Sequence, residues 1–139
     1  MEKLDIIIIK DLVYSEVKFW SIIDNDFFAM RVLIDTGARI TTFSDSALIK
    51  LGYATDGKPV TVRTGGGTTI ANEITIPKIQ IGSTELTNIS AHSNKFLDEF
   101  KINGILGMNV LSKFNFNVDF DNSLIELKTR KMHQEYVSV

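Results

Sequence analysis

Between Phe114 and Phe120 the chain alternates without a break. Phe114, Phe116, Val118 and Phe120 are apolar, and Asn115, Asn117 and Asp119 stand between them. A repeat of two residues suits a strand with one buried face and does not fit a helix. Asp121-Asn122-Ser123 supplies turn residues, and Leu124 to Lys128 reads as the returning strand. Leu4 to Ile9 and Ala29 to Ile34 are further β-rich apolar runs, the second leading into Asp35. From Ile74 to Ile81 the alternation changes phase at Pro77-Lys78, where a bulge or bend would keep both isoleucine pairs facing inward.

Two short stretches read as helix. Ser44 is a good N-cap for the segment that follows it, and Gly52 stands where a left-handed C-cap is wanted. The second runs from about Gly107 to Lys113, with Val110 and Leu111 as apolar contacts. No repeat, low-complexity tract or linker divides the chain. Residues 1–139 are therefore expected to form a single mostly-β domain with one or two short helices.

Composition narrows the chemistry. The chain has no cysteine, which excludes disulfides, thiolate metal sites and cysteine nucleophiles. Its net charge is −2 with both signs intermixed, which gives no footprint for nucleic acid or an anionic membrane. The only apolar run near the start, Ile6 to Ile9, is far shorter than a membrane span of about 20 residues. It is also too short for a secretory leader. A soluble, cytoplasmic chain without a membrane segment is expected. His92 and His133 lack ligand-spaced partners, so neither a metal nor a cofactor is expected. Gly65-Gly66-Gly67 is followed by Thr68-Thr69-Ile70, a strand-like run, and not by the Lys-Ser/Thr pair and helix of a phosphate-binding loop. Lys128-Thr129-Arg130-Lys131 reads as a solvated stretch, and Trp20 and the phenylalanines as core or subsite walls.

The acid that calls for an explanation is Asp35, in Val32-Leu33-Ile34-Asp35-Thr36-Gly37-Ala38. A carboxylate at the end of a buried apolar strand is costly to desolvate. Thr36 can donate a hydroxyl hydrogen bond, Gly37 lets backbone N–H groups approach the carboxylate, and Ala38 leaves space for a substrate chain. The tripeptide alone is also a common turn, since Asp and Gly favour turns. Two further features follow in order. Thr61 to Ile70 holds a glycine cluster between strand-like runs, and Gly104-Ile105-Leu106-Gly107 is a short apolar strand leading into a helix start.

In this order and spacing the chain resembles the retropepsin-like aspartic proteases (clan AA) over about residues 15–128, with the tail 129–139 unassigned. The resemblance implies a single-lobe acid-protease β-barrel that pairs as a homodimer and hydrolyses a peptide or protein substrate. It makes Asp35 the catalytic aspartate and Thr36 the hydroxyl that braces the two active-site loops across the dimer. Gly37 and Ala38 would line the channel. Thr64, Gly65, Gly66 and Gly67, with Thr68, would form the tip of a flap. Ile105, Leu106 and Gly107 would pack beneath the loop. Asp-Thr-Gly occurs once, and Asp56, Asp119 and Asp121 lack its setting, so the second carboxylate must come from a second chain. The alternative is a catalytically weak or inactive module of the same fold that dimerises or binds peptides, because fold alone does not establish activity.

The chain departs from the viral pattern in a longer stretch before the motif, in a tail (Thr129 to Val139) with no equivalent, and at two site positions. Many retroviral members pair an acid after the motif with an arginine after the second glycine. Here Arg39 and Met108 hold those positions, so that bridge cannot form. This looks more like bacterial or cellular single-lobe members. Arg39 is expected to turn toward the channel and favour substrates with an acidic residue near the cut.

Overall fold

The strands expected from the alternation form, and they wind into a closed ring. The computed structural model describes residues 2–64 and 66–131. Along the chain lie β1 (Glu2–Ile9), β2 (Leu12–Ser21), β3 (Asp26–Ile34), β4 (Thr41–Phe43), α1 (Asp45–Leu51), β5 (Pro59–Thr64) and β6 (Gly67–Ile81). They are followed by β7 (Thr84–Ser93), α2 (Phe96–Glu99), β8 (Gly104–Leu106), α3 (Met108–Leu111), β9 (Phe114–Asp119) and β10 (Leu124–Thr129). Strands β6, β7, β4, β8, β3 and β2 follow one another around the ring, and a pairing of β6 with β2 closes it. β5 hangs outside β6 as a hairpin, and β1, β10 and β9 continue the sheet from β2. No helix among the described residues is long and apolar enough to cross a membrane.

Side-chain size explains which strands were legible. β2 alternates, but two of its inward positions are Ser15 and Ser21, buried at 2% and 0% exposure. Each is satisfied locally: the Ser15 hydroxyl donates to the Asp5 carbonyl, and Ser21 Oγ accepts from the Asp24 N–H. β7 buries Ile89, Ala91 and Ser93, a set too small and too polar to read as an apolar run. The four-residue helix α2 is an addition to the two helices expected, and it carries no side-chain cap.

α1 follows the expected capping. Ser44 Oγ accepts the Ala47 N–H, and Gly52 closes the helix at φ 92°. That turn also presses on the β2–β3 connection, because a Cβ at Gly52 would lie 2.8 Å from Ile23 Cγ1.

At Pro77 the phase change is a bend and not a bulge. The β6–β7 register is the same on both sides of it, from Ile76↔Ile89 to Lys78↔Thr87. Pro77 has no N–H to donate to the ladder, and Asn88, between the two paired positions, takes φ 52°. The bend keeps Ile76 and Ile79 both fully buried and delivers Ile79 and Gln80 to β2.

One expectation fails locally. Phe120, placed with the apolar face of β9, is 60% exposed. The strand ends at Asp119, whose carboxylate accepts from the Asn122 N–H and side-chain amide, so Phe120 falls in the turn. The core joins the ring strands to β1, β9, β10, α1 and α3, with Phe19 and Phe43 in edge-to-face contact at 4.9 Å.

Candidate active site

β8 is the strand that positions the Asp35 loop. It lies between β3 and β4, parallel to β3 (Leu33↔Ile105, Ile34↔Leu106) and antiparallel to β4 (Thr42↔Ile105). The Asp35 N–H continues that ladder by donating to the Leu106 carbonyl at 3.1 Å. The chain then turns sharply, and the Ala38 N–H donates back to the Asp35 carbonyl at 3.3 Å. Within the turn the Gly37 N–H donates to Asp35 Oδ1 at 2.8 Å, which aims the carboxylate. A Cβ on Gly37 would sit 3.1 Å from that same oxygen, so the approach favours glycine. Asp35 and Ala38 are half-buried, while Thr36, Gly37 and Arg39 are exposed.

Beneath the loop, α3 does the bracing. The first amides of a helix have no partner inside it. Here the Met108 N–H donates to the Ala38 carbonyl at 2.7 Å and the Asn109 N–H to the Arg39 carbonyl at 3.0 Å. Gly107 makes this approach possible, because a Cβ there would lie 2.8 Å from the Ile40 carbonyl carbon and 2.9 Å from the Ala38 oxygen.

Two residues not singled out from the sequence complete the brace. Asn109 Oδ1 accepts from both the Thr41 N–H and the Thr41 hydroxyl, each at 2.8 Å, and its amide donates to the Ser90 carbonyl. Thr41 Oγ1 in turn accepts the Gly107 N–H at 3.1 Å. Thr41 is 1% exposed, and a buried hydroxyl needs such partners. With Arg39 exposed and Met108 36% exposed, this neutral network stands where a charged bridge would. An asparagine in the first turn of a helix and a threonine at a strand start are too ordinary to flag without the fold.

Of the expected channel and flap residues, Leu106 lies in the core under the loop and Ile105 turns to the other face. Thr64 pairs with Gly67 to close the β5–β6 hairpin, Gly66 is exposed at its tip, and Gly65 lies outside the described residues. Gly67 takes φ 123°, a conformation that L residues rarely adopt.

The registers also extend the Asp35 face across the sheet. Directly opposed residues share a face. Leu33 opposes Ile105, Ile105 opposes Thr42, Thr42 opposes His92, and His92 opposes Glu73. Asp35 continues the alternation of β3 on the Leu33 side. The flanking residues Val32, Phe43, Ala91 and Leu106 belong to the core, so from Ile105 onward the row faces away from it, while Leu33 is buried. Burial holds the His92 imidazole below its ordinary value of 6.5, with the Arg39 charge acting the same way and Glu73 opposing both. Among the described residues no group of three or more His, Cys, Asp or Glu side chains could hold a metal ion.

A closed mostly-β lobe that presents one Asp-Thr-Gly loop on a helix and carries a glycine hairpin has the architecture of a single acid-protease lobe. The family model described as "gag-polyprotein putative aspartyl protease" matches residues 23–113, and the chain belongs to this family of retropepsin-like aspartyl proteases. The matched span runs from the β2–β3 connection through α3 and so contains both the Asp35 loop and its brace. Among solved structures, the chain is similar to a retropepsin-like aspartic protease from Rickettsia conorii. The two share 27% identity with a TM-score of 0.68, over 91% of this chain and 89% of that one. Among curated proteins no sequence matches this chain.

Proposed function

We propose that this chain is an aspartic endopeptidase whose active site is completed when two copies bring their Asp35 carboxylates together. The observation that carries the reading is the Asp35 loop itself. Its carboxylate is oriented by the Gly37 amide and its backbone is locked onto α3, yet Thr36 and Gly37 stay exposed on the single lobe. Such a surface suits closure by an identical loop related by a two-fold axis, with Thr36 of each copy bracing the other.

The chemistry follows from two carboxylates that share one proton. The ionised Asp35 takes a proton from a water held between them as the water oxygen bonds to the scissile carbonyl carbon. The protonated Asp35 of the other copy gives its proton to the carbonyl oxygen. When the tetrahedral species collapses, the C–N bond breaks, the leaving nitrogen takes the proton that the first Asp35 accepted from water, and the second Asp35 takes back a hydroxyl proton. The β5–β6 hairpin, with Gly66 and Gly67 at its tip, would close over the peptide and add main-chain hydrogen bonds.

Asp35→Asn tests the reading, because it is nearly isosteric and removes only the ionisable group. Cleavage of a fluorogenic peptide library should vanish while sedimentation shows the same folded dimer. Full activity in that variant, with contaminating protease excluded, would refute it. The shared proton also predicts a bell-shaped rate profile peaking on the acid side of neutral. A rate still rising at about pH 9 would point to another nucleophile.

A further inference from the structure

The outward row that starts at Ile105, beside the Asp35 loop, ends in ionisable groups that the hydrolysis itself does not use. His92 stands directly opposite Glu73 across β6–β7 and next to Thr42 across β4–β7. Glu73 sits where the glycine hairpin begins, its N–H donating to the Lys58 carbonyl at 2.8 Å. Arg39 projects from the catalytic loop close enough for its charge to act on His92. The row therefore spans from the loop to the base of the hairpin, apolar at Ile105 and charged at its far end. A peptide lying between loop and hairpin would pass both.

We propose that Arg39, His92 and Glu73 form a subsite for a carboxylate-bearing side chain of the peptide, with Arg39 and His92 facing the carboxylate and Glu73 orienting His92 from the opposite strand. The inference rests on the peptidase reading for the identity of the ligand, but it concerns binding alone.

Charge balance gives the subsite a pH dependence. At neutral pH Arg39 and Glu73 offset each other and His92 is neutral. Once His92 takes a proton the group is net positive. The charged groups acting on His92 are Glu73 from β6 and Arg39 from the loop, and the facing residue on β4 is the uncharged Thr42. Burial and Arg39 delay the protonation to below the ordinary 6.5. A substrate glutamate keeps its own charge down to about pH 4.3. The preference for an acidic side chain should therefore strengthen on acidification and fade again near that lower limit.

The test uses the full chain carrying Asp35→Asn, which removes both cleavage and the titration of the dyad. Binding is measured by calorimetry at about pH 7 and about pH 5 for matched peptides with Glu or Gln at each position in turn. At one position the Glu-to-Gln affinity ratio should rise about two- to fivefold between the two pH values, the size of an exposed ion pair. Adding His92→Gln should hold the ratio at its neutral-pH value, and adding Arg39→Gln should lower it at both. A ratio that does not change with pH, or one that rises equally with His92→Gln, overturns the subsite. Cleavage by the unaltered chain without this ratio would leave the peptidase reading intact and refute only the subsite. The ratio without cleavage would do the reverse. Failure to bind any peptide, together with no cleavage by the unaltered chain, would overturn both.

Discussion

The Asp35 loop and the β5–β6 hairpin both depend on glycine, for opposite physical reasons. In the loop, contact requires Gly107 and favours Gly37. The space where a Cβ would stand is already within 3.1 Å of Asp35 Oδ1 or within 2.9 Å of the Ile40 and Ala38 backbone. At the hairpin tip, a Cβ on Gly66 would meet no atom within 4 Å, and the demand at Gly67 is conformational, at φ 123°. Close packing makes the first region a fixed mount for a carboxylate. Open surroundings leave the second without that constraint, as the closure proposed for it requires. A glycine cluster in a sequence does not say which of these it serves.

The sharpest way to break this contrast is Gly107→Ala. Its methyl would meet backbone on two sides, so the loop and α3 must separate. We expect a loss of about 1–3 kcal/mol in stability by urea denaturation, with peptidase activity abolished. Near-wild-type stability would show that the mount is softer than its geometry implies. Asn109→Ala comes next. It leaves the buried Thr41 hydroxyl and the Ser90 carbonyl short of partners, for about 1–3 kcal/mol. The turnover number should fall more than substrate affinity if the loop carries the reacting group proposed above. Equal loss in both kinetic constants would argue for a general structural role.

At the hairpin, Gly67→Ala should cost about 1 kcal/mol through its backbone angle alone. Gly66→Ala should change stability by less than about 0.5 kcal/mol. Either should act on KM and turnover through closure, and unchanged kinetics in both would remove the hairpin from the mechanism. The smallest effect concerns pH. His92 has a folded-state pKa below its unfolded 6.5, so the unfolded chain binds the proton first and stability falls as the pH drops below 6.5. His92→Gln should flatten that part of a stability–pH curve, and an unchanged slope would place its origin elsewhere.

Much of this lobe could be read along the chain. Period-two patterning located β9, because a half-buried strand writes its two faces into consecutive residues; the turn residues after it gave β10, and β-rich apolar runs gave most of β1 and β3. The caps of α1 were legible for a related reason: Ser44 and Gly52 satisfy backbone groups within a few residues of themselves. Asp35-Thr36-Gly37 likewise carried its own chemical argument. These are all local relations, and a sequence displays them directly.

What the tertiary structure alone decided is non-local. The inward serines of β2 and the small inward residues of β7 become core positions only once neighbouring strands cover them. The long β6 could be read as bending at Pro77. That the bend carries it to β2 and closes the ring depends on pairings between distant segments. Asn109 gained its role because parallel pairing of β3 with β8 sets α3 under the loop. His92 looked isolated until the registers set it opposite Glu73. The physical reason is the same in each case. A side chain's hydrogen-bonding capacity is written in its type, but its partner is chosen by which strands close on one another.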